Sequence, residues 1–146
     1  MPVVEKSVLI ERSAQQMFEL VDRVEDYPRF LPWCGGSEVI ERTPELTVAR
    51  VHINYHGVKS SFATENHKQF PMQMDMRLRE GPFRMLDGSW LFKPLTAEAC
   101  KVTFRLHYEF SSKLLEKVVG PVFNHIANTF VDSFVKRAGQ VYGGKA

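Results

Sequence analysis

The first residues to consider for chemistry are His52 and His56, because two imidazoles close in sequence often bind a metal ion. Apolar and polar residues alternate from Ala49 to Tyr55, which predicts a β-strand. Four residues along a strand span about 13 Å, so both imidazoles cannot reach one ion. The sequence therefore predicts a solvated strand face here and no metal site.

Cys34 is the candidate nucleophile, since it lies between Trp33 and a pair of glycines. A cysteine nucleophile needs a neighbouring base, and no histidine lies close to it in sequence. His125 falls at the edge of an apolar helical stripe, where a packing role is the more common one. The sequence has no nucleophile elbow, paired carboxylate motif or phosphate-binding glycine loop. We therefore expect no catalytic residue, no cofactor and no enzymatic activity.

The element that must organise the fold is an amphipathic helix over residues 121–142. Its apolar residues recur at three- and four-residue steps: Val122, Phe123, Ile126, Ala127, Phe130, Phe134, Ala138 and Val141. Such a helix would be about 33 Å long and needs a broad apolar surface to cover its stripe. Gly120-Pro121 is expected to mark a kink, or the start of this helix after a shorter turn at 113–119.

The chain begins with an alternating strand in which Lys6 shares the apolar register, so Lys6 is expected at a strand end or a rim. Ser13 and Gln16 have the spacing of a capping box, which predicts a helix ending near Asp22. Residues 22–36 contain prolines and a glycine pair among aromatic residues. They predict a second short helix and a tight turn packed against the core.

From Glu38 to Phe110 the apolar period is two, which predicts about six further strands. Turn residues separate them at 43–44, 56–57, 70–71, 81–82 and 94–98. Gly88 falls in the apolar register, where a bulge or a close approach is expected. With the first strand, these segments form a seven-stranded antiparallel sheet. We predict an α+β fold in which this curved sheet wraps around the long helix and the two short helices cap one end.

Composition limits the classes of protein to consider. A chain of 146 residues with 44% hydrophobic content predicts one globular domain, residues 1–146. The two cysteines, Cys34 and Cys100, are far apart in sequence and are expected to be reduced. Charges within the first dozen residues argue against a signal peptide, and no apolar run is long enough for a membrane span. We expect a cytoplasmic protein, and a net charge of +2 gives no reason to expect DNA binding.

Two segments carry a family resemblance. LVDRVEDYPRFLPWC at 20–34 and GPFRMLDGSWLFKPL at 81–95 resemble the motifs of the coenzyme-Q-binding and ribosome-association-toxin family. The order of elements is similar to that of the START-like, helix-grip superfamily, which includes polyketide cyclases and birch-pollen-type (Bet v-type) allergens. The resemblance implies a non-catalytic domain that holds a polyprenyl quinone such as ubiquinone, in support of respiration. The alternative is a toxin that binds the large ribosomal subunit and blocks subunit joining; an aromatic polyketide cyclase is third, for want of a placed acid or base.

If the interior holds a ligand, it is expected to do so through the inward-facing apolar residues of the sheet and helix. The predicted ligand-binding residues are Tyr55, Met74, Met76, Trp90, Phe104, Tyr108, Phe123, Ile126, Phe130 and Phe134. Met72 and Met85 are expected on the same face, and space is expected around Ile126 at mid-stripe. Tyr55, Thr64 and Asn66 are candidates to orient a head group, unless they lie at strand ends. A solid core is the alternative, because such stripes usually are core.

Basic residues share the outward register of neighbouring strands. Possible ribosome contacts are Arg77, Arg79, Lys101 and Arg105, with Lys93 and His107 beside them. Asp75, Asp87 and Glu109 share that register and dilute its positive charge. A mixed solvated surface is the alternative to a phosphate-binding patch.

Overall fold

Seven antiparallel strands form one sheet in a computed structural model that describes residues 3–143. The strands are β1 (Val3–Ile10), β2 (Cys34–Arg42), β3 (Leu46–Tyr55), β4 (Val58–Gln69), β5 (Gln73–Glu80), β6 (Phe83–Thr96) and β7 (Ala99–Phe110). Their spatial order is β1-β7-β6-β5-β4-β3-β2. The predicted meander from β2 to β7 is confirmed, and β1 extends it by pairing with β7.

Two short helices follow β1, as the sequence predicts. Helix α1 (Ala14–Asp22) begins at a complete capping box. In it, the backbone N–H of Gln16 donates to Ser13 Oγ at 3.0 Å, and the Ser13 N–H donates to Gln16 Oε1 at 2.9 Å. A 3₁₀ helix, Val24–Arg29, continues the segment and includes Pro28.

The long helix begins earlier than the sequence predicts. Helix α2 spans Lys113–Val141, 29 residues, so 113–119 belongs to it and Pro121 lies inside it. Ser112 Oγ caps its start by accepting the N–H of Leu115 at 3.1 Å. Pro121 has no backbone N–H to donate, which costs the helix one hydrogen bond. Because Val119 is buried, packing of the first turns against the sheet compensates for this loss of free energy. Val141, at the other end of the predicted stripe, is 43% exposed.

Several strand details also differ from the predictions. β2 begins at Cys34 and includes the glycine pair, because the chain there already pairs with β3, where Asn54 N–H donates to the Trp33 carbonyl at 2.9 Å. Pro94 lies within β6, opposite Cys100, rather than in a turn. Lys6 lies in the middle of β1 and stays exposed because β1 is an edge strand.

Two methionines expected inside are elsewhere. Met72 precedes β5 and is 45% exposed, because the strand starts only at Gln73. A register shift between Phe83 and Met85 puts Met85 opposite Glu109, on the outer face of the sheet. A β-bulge adds one residue to a strand, so alternation before it does not predict the face after it.

The inner face of the sheet packs against α2 through aromatic rings. Trp90 lies 4.6 Å from Phe104 and 5.7 Å from Phe130 between ring centroids, and Phe130 lies 5.0 Å from Phe134. Each fully buried ring of this kind contributes about 1.5–3 kcal/mol through burial. The predicted α+β arrangement, a sheet wrapped around a long helix, is confirmed.

A polar cluster ties the end of α1 to the sheet. Asp22 accepts hydrogen bonds from Lys68 Nζ at 3.1 Å and from Thr47 Oγ1 at 2.8 Å. The Lys68 side chain is only 5% exposed, so Asp22 neutralises an almost fully buried charge. Arg42 donates to the Asp22 carbonyl at 2.8 Å and to both carboxylate oxygens of Glu25. The cluster therefore holds the end of α1 against strands β2, β3 and β4.

Within residues 3–143, no helix combines the length and the apolar character needed to cross a membrane.

Candidate functional site

An interior cavity of about 70 Å³ lies between the sheet and α2. Its wall is almost entirely apolar and combines residues of five strands, α1, the segment after α1, and α2. The aromatic residues in the wall are Tyr27, Trp33, Phe62, Trp90, Phe104, Phe123 and Phe130. A volume of this size holds about two water molecules, each occupying ~30 Å³ in the liquid.

The cavity brings together most of the residues that the sequence predicts to bind a ligand. Those that line it are Met74, Met76, Trp90, Phe104, Phe123, Ile126 and Phe130. The structure thus places Ile126 at the interior space expected at mid-stripe.

Three of the predicted residues lie outside the cavity wall. Tyr55 is half-buried at the end of β3 and stacks on His125 at 5.6 Å. The Tyr108 hydroxyl donates to the side-chain carbonyl of Asn124. Phe134 is buried one turn beyond Phe130 and packs on Trp90 and Tyr27 at 5.4 Å. Alternation predicts which face a side chain occupies, but it does not predict the position of a cavity along that face.

Sequence reasoning missed the part of the wall that comes from the first motif segment. Val21, Val24, Tyr27 and Trp33 all line the cavity, and all four lie within residues 20–34. The signal was present, because this segment is too apolar for an exposed loop. Its contribution could have been inferred from the motif together with the expectation that it packs on the core.

Two of the polar side chains in the cavity wall lie on β4. Thr64 and Asn66 are in the middle of that strand, not at its ends, and both are buried. Thr64 Oγ1 donates to Asn66 Oδ1 at 2.8 Å. That bond leaves the amide nitrogen of Asn66 free to donate a hydrogen bond to another group.

Two further donors belong to the tryptophans of the wall. The Nε1 atoms of Trp33 and Trp90 are buried and find no hydrogen-bond acceptor within residues 3–143. The two residues are 3% and 1% exposed, and both line the cavity. A buried donor without a partner costs about 1–3 kcal/mol, so such groups usually have a reason to persist. An acceptor brought in by a ligand would remove this cost.

The groups considered for catalysis are in unreactive surroundings. Cys34 is buried, its thiol donates to the Gly36 carbonyl at 3.3 Å, and burial raises its pKa. His52 forms a hydrogen bond with Glu38 at 3.0 Å instead of facing His56. Burial also raises the pKa of Tyr27, whose hydroxyl donates to the Val21 carbonyl at 2.6 Å. Among the described residues, no group of three or more His, Cys, Asp or Glu side chains could hold a metal ion.

The raised pKa of Cys34 makes a direct prediction. Because thiolate is the reactive form, we expect native protein at neutral pH to react with iodoacetamide far more slowly than a free thiol. Cys100 is also buried, and burial raises its pKa too, so it is expected to behave in the same way. Mass spectrometry should find both cysteines unmodified in native protein and alkylated in urea. Rapid modification of native Cys34 would contradict the inert environment described here.

The outer face of the sheet carries a groove of about 730 Å³ between β5 and β6, here called the outer groove. It is lined by His107 and by charged residues of both signs: Asp75, Arg77, Arg84, Asp87 and Arg105. Arg84 pairs with Glu109 at 3.1 Å. Two of the predicted ribosome contacts, Arg77 and Arg105, meet here. Arg79 instead pairs with Glu65 at 3.3 Å, and Lys101 is exposed outside the groove.

Comparison with known proteins identifies a family for the chain. The model of the family described as polyketide cyclase / dehydrase and lipid transport matches residues 10–135. A Vibrio cholerae protein named ribosome association toxin RatA is 44% identical over 98% of this chain and 99% of its own length. The Escherichia coli protein of the same name is 40% identical over 99% of this chain and 92% of its own length. A Xenopus laevis protein named coenzyme Q-binding protein COQ10 homolog B, mitochondrial, is 27% identical over 94% of this chain and 58% of its own length.

Solved structures share the same fold. The Zhui aromatase/cyclase from Streptomyces superposes with a TM-score of 0.78 at 18% identity, covering 95% of this chain and 94% of the other. A START superfamily protein from Mycobacterium smegmatis gives a TM-score of 0.75 at 20% identity, covering 95% and 98%. Identities this low show the fold alone. The family model and the full-length relatives show that the chain belongs to the polyketide cyclase / dehydrase and lipid transport family, together with the proteins named ribosome association toxin.

Proposed function

We propose that this protein binds a hydrophobic ligand with ring carbonyl groups, a polyprenyl quinone such as ubiquinone, between the sheet and α2, and that it catalyses no reaction. The observation that carries the proposal is the pair of buried, unpartnered indole N–H groups of Trp33 and Trp90 in the wall of an apolar cavity. A quinone carbonyl is an acceptor on an otherwise apolar molecule. It can therefore satisfy these donors without placing a charge in the interior.

The rest of the cavity wall suits the same ligand class. Apolar rings and the flexible side chains of Met74 and Met76 favour a quinone ring with an isoprenoid tail. The amide nitrogen of Asn66, in the same cavity wall, is a third hydrogen-bond donor. The coenzyme Q-binding name of the Xenopus relative supports this choice of ligand.

The size of the cavity sets a condition on binding. Drug-sized ligands occupy pockets of about 300–1,000 Å³, and this cavity has about 70 Å³. Binding therefore requires side chains of the wall to move outward. Met74 and Met76 can do this at the lowest cost, because their unbranched chains have several accessible rotamers.

The ligand class is tested by extracting purified protein with organic solvent and recording a mass spectrum. We expect a polyprenyl quinone from wild-type protein and little or none from Ile126→Trp, whose larger side chain fills the cavity. Asn128→Trp, with the same residue on the exposed side of α2, is the matched control and should retain the quinone. Recovery of equal amounts from all three proteins would contradict binding in the cavity.

Ribosome association is the second candidate, and the specific observation in its favour is the 40–44% identity to full-length relatives named ribosome association toxin RatA. Under this proposal the protein acts in the cytoplasm, binds the large ribosomal subunit and blocks subunit joining. Arg77 and Arg105 in the outer groove, together with His107, are the proposed contacts with ribosomal RNA phosphates.

Charge reversal tests this second function. In Arg77→Glu/Arg105→Glu, we expect co-sedimentation with large subunits to be lost at moderate salt and its salt dependence to become shallower, because fewer counterions are released. Lys59→Glu/Lys136→Glu makes the same change of charge at exposed residues outside the groove and should bind like wild type. Equal loss in both double variants would point to net charge, and wild-type sedimentation of the first would exclude the groove as the contact.

A further inference from the structure

The sheet divides between β5 and β6. Their ladder runs from Gln73 opposite Leu91 to Arg77 opposite Asp87. The remainder of β5 continues along β4, where Leu78 lies opposite Thr64. The corresponding part of β6 continues along β7, where Leu86 lies opposite Tyr108. The end of β5 is therefore paired only with β4, and the start of β6 only with β7. Side chains, and not backbone hydrogen bonds, fill the gap between these two parts of the strands.

Register shifts lie on both sides of this gap. One occurs between Ala63 and Thr64 in the pairing of β4 with β5. The other occurs between Phe83 and Met85 in the pairing of β6 with β7. Bulges bend a strand and redirect its side chains, and they are common beside functional sites. Here they turn Met85 to the outer groove while Leu86 faces inward.

The outer groove and the interior cavity meet at this gap. Met76 and Leu86 line both of them, so the wall between the two spaces is one side chain thick at these residues. Outside β5 and β6, the cavity wall belongs to β3, β4, β7, α1, α2 and the segment after α1. At the gap, the side chains of Met76 and Leu86 lie between the interior and the outer groove.

Gly88, which has no side chain, leaves space at the gap for the end of the Met76 side chain. A Cβ atom at Gly88 would lie 2.7 Å from the Arg105 carbonyl oxygen and 3.0 Å from Met76 Cε. The end of the Met76 side chain thus occupies the space that a side chain at this strand position would fill. An unbranched methionine can leave that space by changing rotamer, with no movement of the backbone.

We propose that the gap between β5 and β6 is the route by which the hydrophobic ligand reaches the interior, with Met76 and Leu86 as the movable barrier. This inference rests on the proposed ligand-binding function and adds the path to it. Charged residues around the outer groove, Arg77 and Arg105 among them, keep its rim hydrated. The apolar residues at its floor offer the ligand a continuous passage inward.

The test plugs the outer groove without touching the cavity wall. Met85→Cys is modified with a bulky maleimide, and Leu91→Cys, on the same strand and 42% exposed, is modified in the same way as the control. The native cysteines are buried, so the introduced thiol is the one that reacts. Both tryptophans of the chain line the cavity, so quenching of their fluorescence by decylubiquinone in a stopped-flow instrument reports arrival in the interior.

We expect the plug at Met85→Cys to slow association and dissociation together, by about tenfold or more, while Kd changes little, because a barrier on the path leaves both end states unchanged. The modified control should keep wild-type rates, and circular dichroism should be the same for both. Wild-type rates in the plugged protein, or a change in Kd with an unchanged association rate, would overturn the route. Saturable quenching in wild-type protein is the separate test of ligand binding, so failure of the function and failure of the route are distinguishable.

Discussion

Trp33→Ala is expected to lose about 3–5 kcal/mol of unfolding free energy, the cost of truncating a large buried aromatic residue. Trp33 is 3% exposed and lies 6.1 Å from Phe130 between ring centroids. It also comes directly before β2, so its removal leaves a void where the first motif segment joins the sheet. Urea unfolding at matched m-values measures the loss.

The control for this prediction separates packing from hydrogen bonding. Trp33 Nε1 has no partner within residues 3–143, so Trp33→Phe removes no hydrogen bond and should cost clearly less than the alanine variant. Leu91→Ala, at an exposed position, should stay within about 0.5 kcal/mol of wild type. A loss below about 1 kcal/mol for Trp33→Ala would contradict the buried position of the indole.

Asp22→Ala is expected to cost about 3–5 kcal/mol, because it leaves the buried Lys68 ammonium without a counter-charge. The Thr47 hydroxyl loses its acceptor in the same variant. The effect is large because the Lys68 side chain is 5% exposed, whereas exposed pairs such as Arg79 with Glu65 contribute little.

The matched variant removes both charges. Asp22→Leu/Lys68→Met replaces the ion pair by apolar side chains and should recover most of the stability lost in Asp22→Ala, since the desolvation of the charges is also removed. Chemical denaturation of the three proteins measures this difference. Equal stability of Asp22→Ala and wild type would show that Lys68 reaches solvent and that the cluster does not hold α1 in place.

Much of the fold could be predicted from local patterns. Alternation in β3, β5 and β7 and the three- and four-residue steps of α2 each indicate one apolar face, and covering those faces requires the sheet to pack on the helix. The capping box at Ser13 fixed the start of α1. Of the two alternatives for Gly120-Pro121, a helix start was wrong, because α2 already begins at Lys113. Packing at Val119 outweighs proline's local preference, and sequence patterns do not contain that contribution.

The candidate site was less predictable. A bulge moved Met85 to the outer face, and the late start of β5 left Met72 exposed, so single-residue shifts defeated the alternation rule. The interior positions of Thr64 and Asn66 were among the predicted alternatives. The absence of acceptors for the two indoles among residues 3–143 depends on what surrounds each nitrogen in three dimensions, and no spacing of residues in the sequence indicates it.

Calorimetric titration with decylubiquinone tests most directly whether a quinone binds in the cavity at Ile126. Wild-type protein and Asn128→Trp should bind the quinone saturably with the same affinity. Ile126→Trp should stay folded with nearly wild-type stability, because its extra bulk enters the cavity, and should show no binding; a loss of about 1–3 kcal/mol would instead indicate overpacking of a solid core. Wild-type affinity in a folded Ile126→Trp protein, or no saturable binding by wild-type protein, would contradict the account.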